Sequence, residues 1–188
     1  MKYFLISTET DNTQIPYITD WFDQINPGDI TPERAGNISE VTLLNMESRA
    51  ETIFPDILSM PGFLVSAMVY GVLKLYDPYF QYRQMLVIDK QARKKQLYFL
   101  PILPACDCLL PESELSRDRS KVIRGVVGLE KTQRRPIIKL GGVTNTHIAF
   151  RLDVVESILR RGAKGIKLTE LEIRGGLTPW QSRHMISP

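Results

Sequence analysis

A chain of 188 residues with 43% hydrophobic and 24% charged residues has the composition and size of one globular domain, which excludes a disordered, collagen-like or coiled-coil protein. Its two cysteines, Cys106 and Cys108, are too few and too close together for a disulfide framework; the opening apolar stretch Tyr3 to Ile6 is too short for a signal peptide, and no run approaches the roughly 18 residues that cross a bilayer. The expected address is the cytoplasm, with no membrane association. The formal charge of +3 divides unevenly: residues 1–80 hold 4 Lys or Arg against 11 Asp or Glu, a net of −7, and residues 81–188 hold 20 against 10, a net of +10. An acidic face opposed to a basic one follows if the halves stay apart in the fold, and a mixed surface if they interleave.

In chain order, Lys2 to Ser7 is aromatic and β-branched and reads as a strand inside a sheet. Pro27, Gly28, Pro32 and Gly36 forbid a continuous helix or ladder from Asn26 to Asn37, so that stretch is loop. Val41 to Leu44 is a second strand candidate, and Phe63-Leu64-Val65 after Pro61-Gly62 is a short buried extended piece. Ser66 caps a helix to about Tyr76, because Met68, Val69, Val72, Leu73 and Tyr76 share one helical face, and Asp77-Pro78 ends it. Met85–Ile88 and Leu97–Leu103 form a hairpin with the polar tract 89–96 at its tip; Pro101 and Pro104 make the second arm either an edge strand or one that leaves the sheet there. Residues 105–135 are mixed and polar. Ile137–Leu140, the Gly141-Gly142 turn and Thr146–Leu152 form another strand pair.

The C-terminal unit carries the strongest local pattern. A helix over 153–161 has Asp153 as cap with Glu156 three residues on, a stripe of Val154, Val155, Ile158 and Leu159, Arg160 and Arg161 at its negative end, and Gly162 in the left-handed conformation that stops it. A strand over 166–173 follows. Its apolar pairs Ile166/Leu168 and Leu171/Ile173 differ in parity, so a β-bulge at Thr169-Glu170 is expected to return both to one face. The fold class is α+β with a mixed or mainly antiparallel sheet: one domain over 1–174, then a mobile tail over 175–188.

Chemistry is sparse. The histidines are His147, in a strand, and His184, in the tail; a Ser–His–Asp arrangement would have to use His147, and nothing marks its partner, so an enzyme of unrecognised type is a minor alternative. Cys106-x-Cys108 lacks the further ligands a zinc site needs, and the glycines at 125, 128, 141 and 142 have no phosphate-loop spacing, so no metal and no cofactor are expected. Arg117, Arg119, Lys121, Arg124, Lys131, Arg134 and Arg135 form a basic segment suited to a phosphate backbone. It has no interleaved aromatic residue and no helix-turn-helix or finger spacing, so a solvated loop is preferred over nucleic-acid binding through 117–135. Asp20, Asp23, Asp29, Glu33, Glu40, Glu47, Glu51 and Asp56 either disperse as a solubilising surface or converge to attract a basic protein.

The succession of Phe63-Leu64-Val65-Ser66 into a helix, Tyr98-Phe99-Leu100-Pro101-Ile102-Leu103, and Arg151 through Gly162-Ala163-Lys164-Gly165-Ile166 resembles a bacterial family of immunity proteins of polymorphic-toxin systems, the myxobacterial type, once catalogued as of unknown function. The resemblance runs from the first strand to about Ile173, and the C-terminal motif is its most specific part. It implies a small non-enzymatic cytoplasmic antidote that binds and neutralises a cognate secreted toxin. It carries no catalytic residues, and its motif residues read as cap, stripe and turn. For a basic toxin, the expected docking residues are Asp20, Asp23, Asp29, Glu33, Glu40, Glu47 and Glu51.

Overall fold

The computed structural model describes residues 1–9 and 15–175. Along these residues the chain forms β1 (Tyr3–Thr8), β2 (Tyr17–Ile18), α1 (Trp21–Gln24), two single 3-10 turns at Pro27–Asp29 and Ala35–Asn37, β3 (Val41–Glu47), β4 (Ile57–Leu58), β5 (Leu64–Ser66) and α2 (Ala67–Tyr76). The long hairpin β6 (Gln81–Asp89) and β7 (Lys94–Ile102) follows, then the short strands β8 (Ala105–Cys106), β9 (Glu114–Leu115), β10 (Val122–Arg124) and β11 (Val126–Gly128). β12 (Ile137–Leu140), β13 (Ile148–Arg151), α3 (Leu152–Leu159) and β14 (Ile166–Arg174) complete it. The class is α+β with mixed sheets, as expected: one six-stranded sheet is ordered β11-β14-β1-β13-β12-β8, the other β2-β3-β6-β7-β5-β4, and β9 pairs β10. The expected tail lies, from residue 176 on, outside the described residues.

The acidic and basic halves interleave. Residues 1–80 supply β1 to the middle of the first sheet, and residues 81–102 supply the central hairpin of the second, so a two-faced molecule split at Phe80 is not formed. The helices sit where the sheets meet. Val69, Val72 and Leu73 of α2 and Val154, Val155 and Ile158 of α3 share one core with Ile6, Ile148 and Phe150 of the first sheet and Val65 and Ile57 of the second. Tyr3, Leu5, Ala149, Ile138 and Leu171 form a second core on the opposite face of the first sheet. A third core lies under the second sheet, where Leu44, Met46, Met85, Val87, Tyr98 and Leu100 meet Trp21, Ile25, Ile30 and Ile38 from the chain that wraps it.

Most local expectations hold. The Ser66 hydroxyl accepts from the Val69 amide (3.4 Å), and α2 ends before Asp77-Pro78. β12 and β13 pair antiparallel with Ile138 opposite Ala149. Gly162 has φ +77, the left-handed stop after α3.

Two expectations fail, each for a tertiary reason, and a third point, open between two readings, is decided. First, no bulge interrupts β14: its register against β1 is continuous from Thr8↔Ile166 to Tyr3↔Leu171. The change of apolar parity instead serves two cores, since Ile166 and Leu168 pack with the helices while Leu171 and Ile173 pack on the far face. Second, Asp153 is not the cap. α3 starts at Leu152, its N-cap Arg151 makes no side-chain cap, and the Arg151 guanidinium draws the Asp153 carboxylate into a bidentate pair (2.7 and 2.6 Å). That pairing holds the Asp153 carboxyl below its ordinary value. Leu159, the last residue of the expected stripe, is exposed. The open point is the Pro101 region: β7 lies between β6 and β5. Its ladder to β5 reaches only Phe99, and after Ile102 the chain passes Pro104 to join the other sheet as β8, so the second alternative for the Pro101 region is the one realised.

Candidate protein-binding surface

Val41-Thr42-Leu43-Leu44-Asn45-Met46-Glu47 alternates strictly in the fold. Thr42, Leu44 and Met46 point into the core, and Val41, Leu43, Asn45 and Glu47 point out. The parallel register with β6 places Leu43 beside Leu86, and the hairpin places Leu86 beside Leu97, so three leucines lie in a row across three strands on the outward face, with Ile88 next to them. Leu86, Ile88 and Leu97 are half-buried, whereas Leu43 is 60% and Val41 54% exposed. Tyr17 of β2 (69%) and Phe22 of α1 (72%) add exposed aromatic surface on the same β2–α1–β3 segment. Further along this face α2 closes over the sheet: the Tyr70 ring stacks on Phe99 at 4.1 Å between centroids and meets Tyr82 edge-on at 4.8 Å. The sheet is therefore covered at one end and bare at the other.

The edge is as open as the face. The Gln84 amide donates to the Glu40 carbonyl (2.8 Å), so the backbone groups of residues 40, 42 and 44 face β6 and those of 41, 43 and 45 face away. At Asn45 they are used: its amide donates to Asp20 Oδ1 (2.8 Å) and its carbonyl accepts from the Thr19 amide (3.0 Å). β2 then pairs with Met46 and Glu47. The N–H and C=O of Val41 and Leu43 have no partner among the described residues.

Of the expected acidic residues, the fold brings several to this end and employs others elsewhere. Glu40 and Glu47 bracket β3 and are exposed, and Asp23 is exposed on α1. Asp20 also lies here, but its second oxygen accepts from the Asn45 side chain (2.7 Å), so it serves chiefly to seat β2 on β3. Asp29 accepts from the Asn37 side chain (3.2 Å) within the wrapping loop. Glu33 is exposed in that loop, near the half-buried Lys139, whose ammonium donates to the Ile30 carbonyl (2.9 Å). Burial lowers the Lys139 pKa, and the Glu33 charge opposes that shift. Glu51 is exposed beyond the far end of β3, where Lys94 donates to the Arg49 and Ala50 carbonyls. Asp56 is structural, taking the Ser66 hydroxyl (2.6 Å) and the Lys164 amide (2.8 Å). Between residues 15 and 48 the sole Lys or Arg is Arg34, against the six acids 20, 23, 29, 33, 40 and 47. Arg83, the cation of the neighbouring strand, is turned inward to the Ala35 and Ile38 carbonyls (2.9 and 3.0 Å). The outward surface at β3 is thus apolar with acids at its margin, and the exposed Lys95 opposite Ile88 is the cation two strands away on the same face.

The basic segment does not form one patch. Arg119 donates to the Gly142 carbonyl (2.8 Å) and Ser120 meets His147, which fixes loop 116–121 at the C-terminal end of β12. The 130–135 turn sits at its N-terminal end, where the Arg135 and Arg134 carbonyls accept from Tyr3 Oη (2.6 Å) and Arg151 (2.7 Å). A four-residue strand holds these ends about 13 Å apart. Arg124 is committed to Glu172 (2.6 and 2.9 Å).

His147 Nε2 engages only a carbonyl, at 2.8 Å, and His184 lies outside the described residues. Cys106 and Cys108 are free thiols; burial pushes Cys108 up to about 12, an unreactive state at neutral pH. Asp89, at the ends of β3 and β6, has its carboxylate filled by the Ser48 amide and hydroxyl and the Gln91 and Ala92 amides (2.6–2.9 Å). No group of three His, Cys, Asp or Glu suited to a metal occurs among the described residues, and no helix among them is long and apolar enough to cross a membrane.

Composition and motif reading do not single out the apolar members of this surface, Tyr17, Val41 and Leu43. A signal was present: Asn45 and Glu47 share parity with Val41 and Leu43, which marks that side of the strand as the wet one. No protein-family model matches the chain, and no curated protein matches it with significant similarity.

Proposed function

We propose that this chain is a non-enzymatic immunity protein that binds and neutralises a cognate bacterial toxin by protein–protein contact, in the cytoplasm and without a cofactor. The observation that carries the proposal is the bare end of the second sheet, where Val41, Leu43 and Tyr17 lie exposed with Glu40, Glu47 and Asp23 at the margin. An apolar centre with a charged rim is the make-up of a partner-binding patch, and the acidic sign suits a basic toxin such as one that must hold a phosphate backbone. The resemblance of the 151–166 motif to the immunity family supplies the class of partner, and two free thiols suit a reducing compartment.

Co-expression with the toxin encoded beside it tests the reading: survival of the host is expected, and undiminished killing overturns it. In the neutralising complex, Leu43→Ser is expected to weaken toxin binding by about 30-fold, the loss typical of a central interface residue. Binding unchanged by Leu43→Ser moves the interface elsewhere.

A further inference from the structure

Edge strands are hazards that folds normally cover, shorten or charge. Here β4 is closed by Thr8, whose hydroxyl donates to the Ile57 carbonyl (3.1 Å) and accepts from the Ser59 amide (2.8 Å). β11 carries a bridge to Leu109, and β8 and β2 have two residues each. β3 differs. It is seven residues long, its outer neighbour β2 reaches only Met46, and Asp20 and Thr19 extend the cover only to Asn45. Two N–H and two C=O groups, at Val41 and Leu43, are left pointing outward, beside side chains that are among the exposed apolar ones. α1 does not continue the ladder, because Trp21 turns into the core instead of pairing with Leu43.

We propose that the Val41–Leu43 edge receives an extended, basic segment of a partner protein by β-strand addition; the identification of that partner as the toxin rests on the function proposed above. Backbone bonding to Val41 and Leu43 supplies register. Partner side chains on the outward face alternate with those on the core side, so an apolar residue opposite Leu43 extends the Leu43, Leu86, Leu97 row. Lys or Arg residues at the segment's ends reach Glu40 and Glu47, with Asp23 alongside. A second copy of this chain fits less well. An antiparallel pairing of two β3 edges would bring the same acidic margin together, and Asn45 to Glu47 are already occupied.

The test uses an alternating lysine–valine heptapeptide and the isotopically labelled full chain. Titration is expected to slow amide exchange at Val41 and Leu43 while the β3–β6 ladder is unchanged. Leu43→Pro removes an outward N–H without touching that ladder, a placement edge strands tolerate, and is expected to weaken the peptide about 10-fold; Leu43→Val keeps the N–H and an apolar side chain of about proline's size and stays within about threefold of wild type. Should Leu43→Pro unfold the protein, amide protection in the wild type decides by itself. Unprotected Val41 and Leu43 amides at saturating peptide, equal losses for Leu43→Pro and Leu43→Val, or protection of the same amides by self-association without peptide each overturn strand addition. Toxin neutralisation with these amides still exposed also sinks strand addition and leaves the immunity reading standing, whereas peptide protection without neutralisation sinks only the immunity reading.

Discussion

Strands β1 and β3 are both rich in apolar and β-branched residues, and both carry large apolar side chains on each face, yet the fold treats them in opposite ways. β1 lies between β13 and β14, so both edges are paired, and its two faces feed two cores: Tyr3 and Leu5 on one side, Ile6 with the helices on the other. β3 has one edge fully paired, the other paired only from Asn45 to Glu47, and one covered face. The apolar character of β1 is thus accounted for by folding, whereas Val41 and Leu43 gain little from it.

The two strands differ most in what their central side chains contribute to stability. Ile6→Ala, at a position 3% exposed, is expected to destabilise the protein by about 2–5 kcal/mol in urea unfolding, whereas Leu43→Ala stays within about 0.5 kcal/mol. Equal costs for the two variants mean that the β3 face is covered after all. The core behind β3 is as tightly filled as those around β1. A Cβ on Gly62 would run into the Trp21 ring, so Gly62→Ala is expected to cost about 1–3 kcal/mol. Gly162→Val, at φ +77 with open space around it, carries only backbone strain, about 1–2 kcal/mol. A Gly62→Ala protein as stable as wild type shows that the Trp21 side yields.

A smaller, pH-dependent difference attaches to the end of β3. The hydrogen bonds that fill the Asp89 carboxylate, from the Ala92 amide foremost and then the Ser48 hydroxyl, lower its pKa in the folded protein. The unfolded chain therefore takes up the proton first. The stabilisation is fully present above the ordinary value of about 3.9 and is lost as pH falls through the lower folded value. Asp89→Asn is expected to flatten the acid limb of the stability curve below about pH 4, measured by urea midpoints; an unchanged acid limb refutes the assignment. The smallest effect is on encounter. Reversing Asp23 and Glu47 together should slow association with a basic toxin several-fold and flatten its salt dependence, while reversing Arg134 and Arg135 leaves it unchanged or slightly faster. The opposite ranking places the docking face on the basic loops. Asp20 is unsuited to this test because its carboxylate seats β2.

What the sequence determined by itself are the features whose physics is local. The Ser66 cap, the Asp77-Pro78 stop, the Gly162 turn, the β12–β13 pair and the β6–β7 hairpin follow from side chains acting within a few residues of themselves, and each stands in the fold. The acidic residues were legible as composition; the fold brings Asp20, Asp23, Glu40 and Glu47 to β3 and leaves Asp29, Glu33, Glu51 and Asp56 elsewhere. Tertiary structure decided whatever depends on a neighbour distant in sequence. Thr169-Glu170 needs no bulge because β14 borders two cores, a fact that no stretch of β14 encodes. Asp153 is not the cap because α3 begins at Leu152, which puts Asp153 inside the first turn, where its carboxylate pairs with Arg151. Whether Val41 and Leu43 face a core or open water depended on where β2 stops and how far α2 reaches across the sheet, since alternation along a strand defines two faces but does not say which of them the rest of the chain will cover.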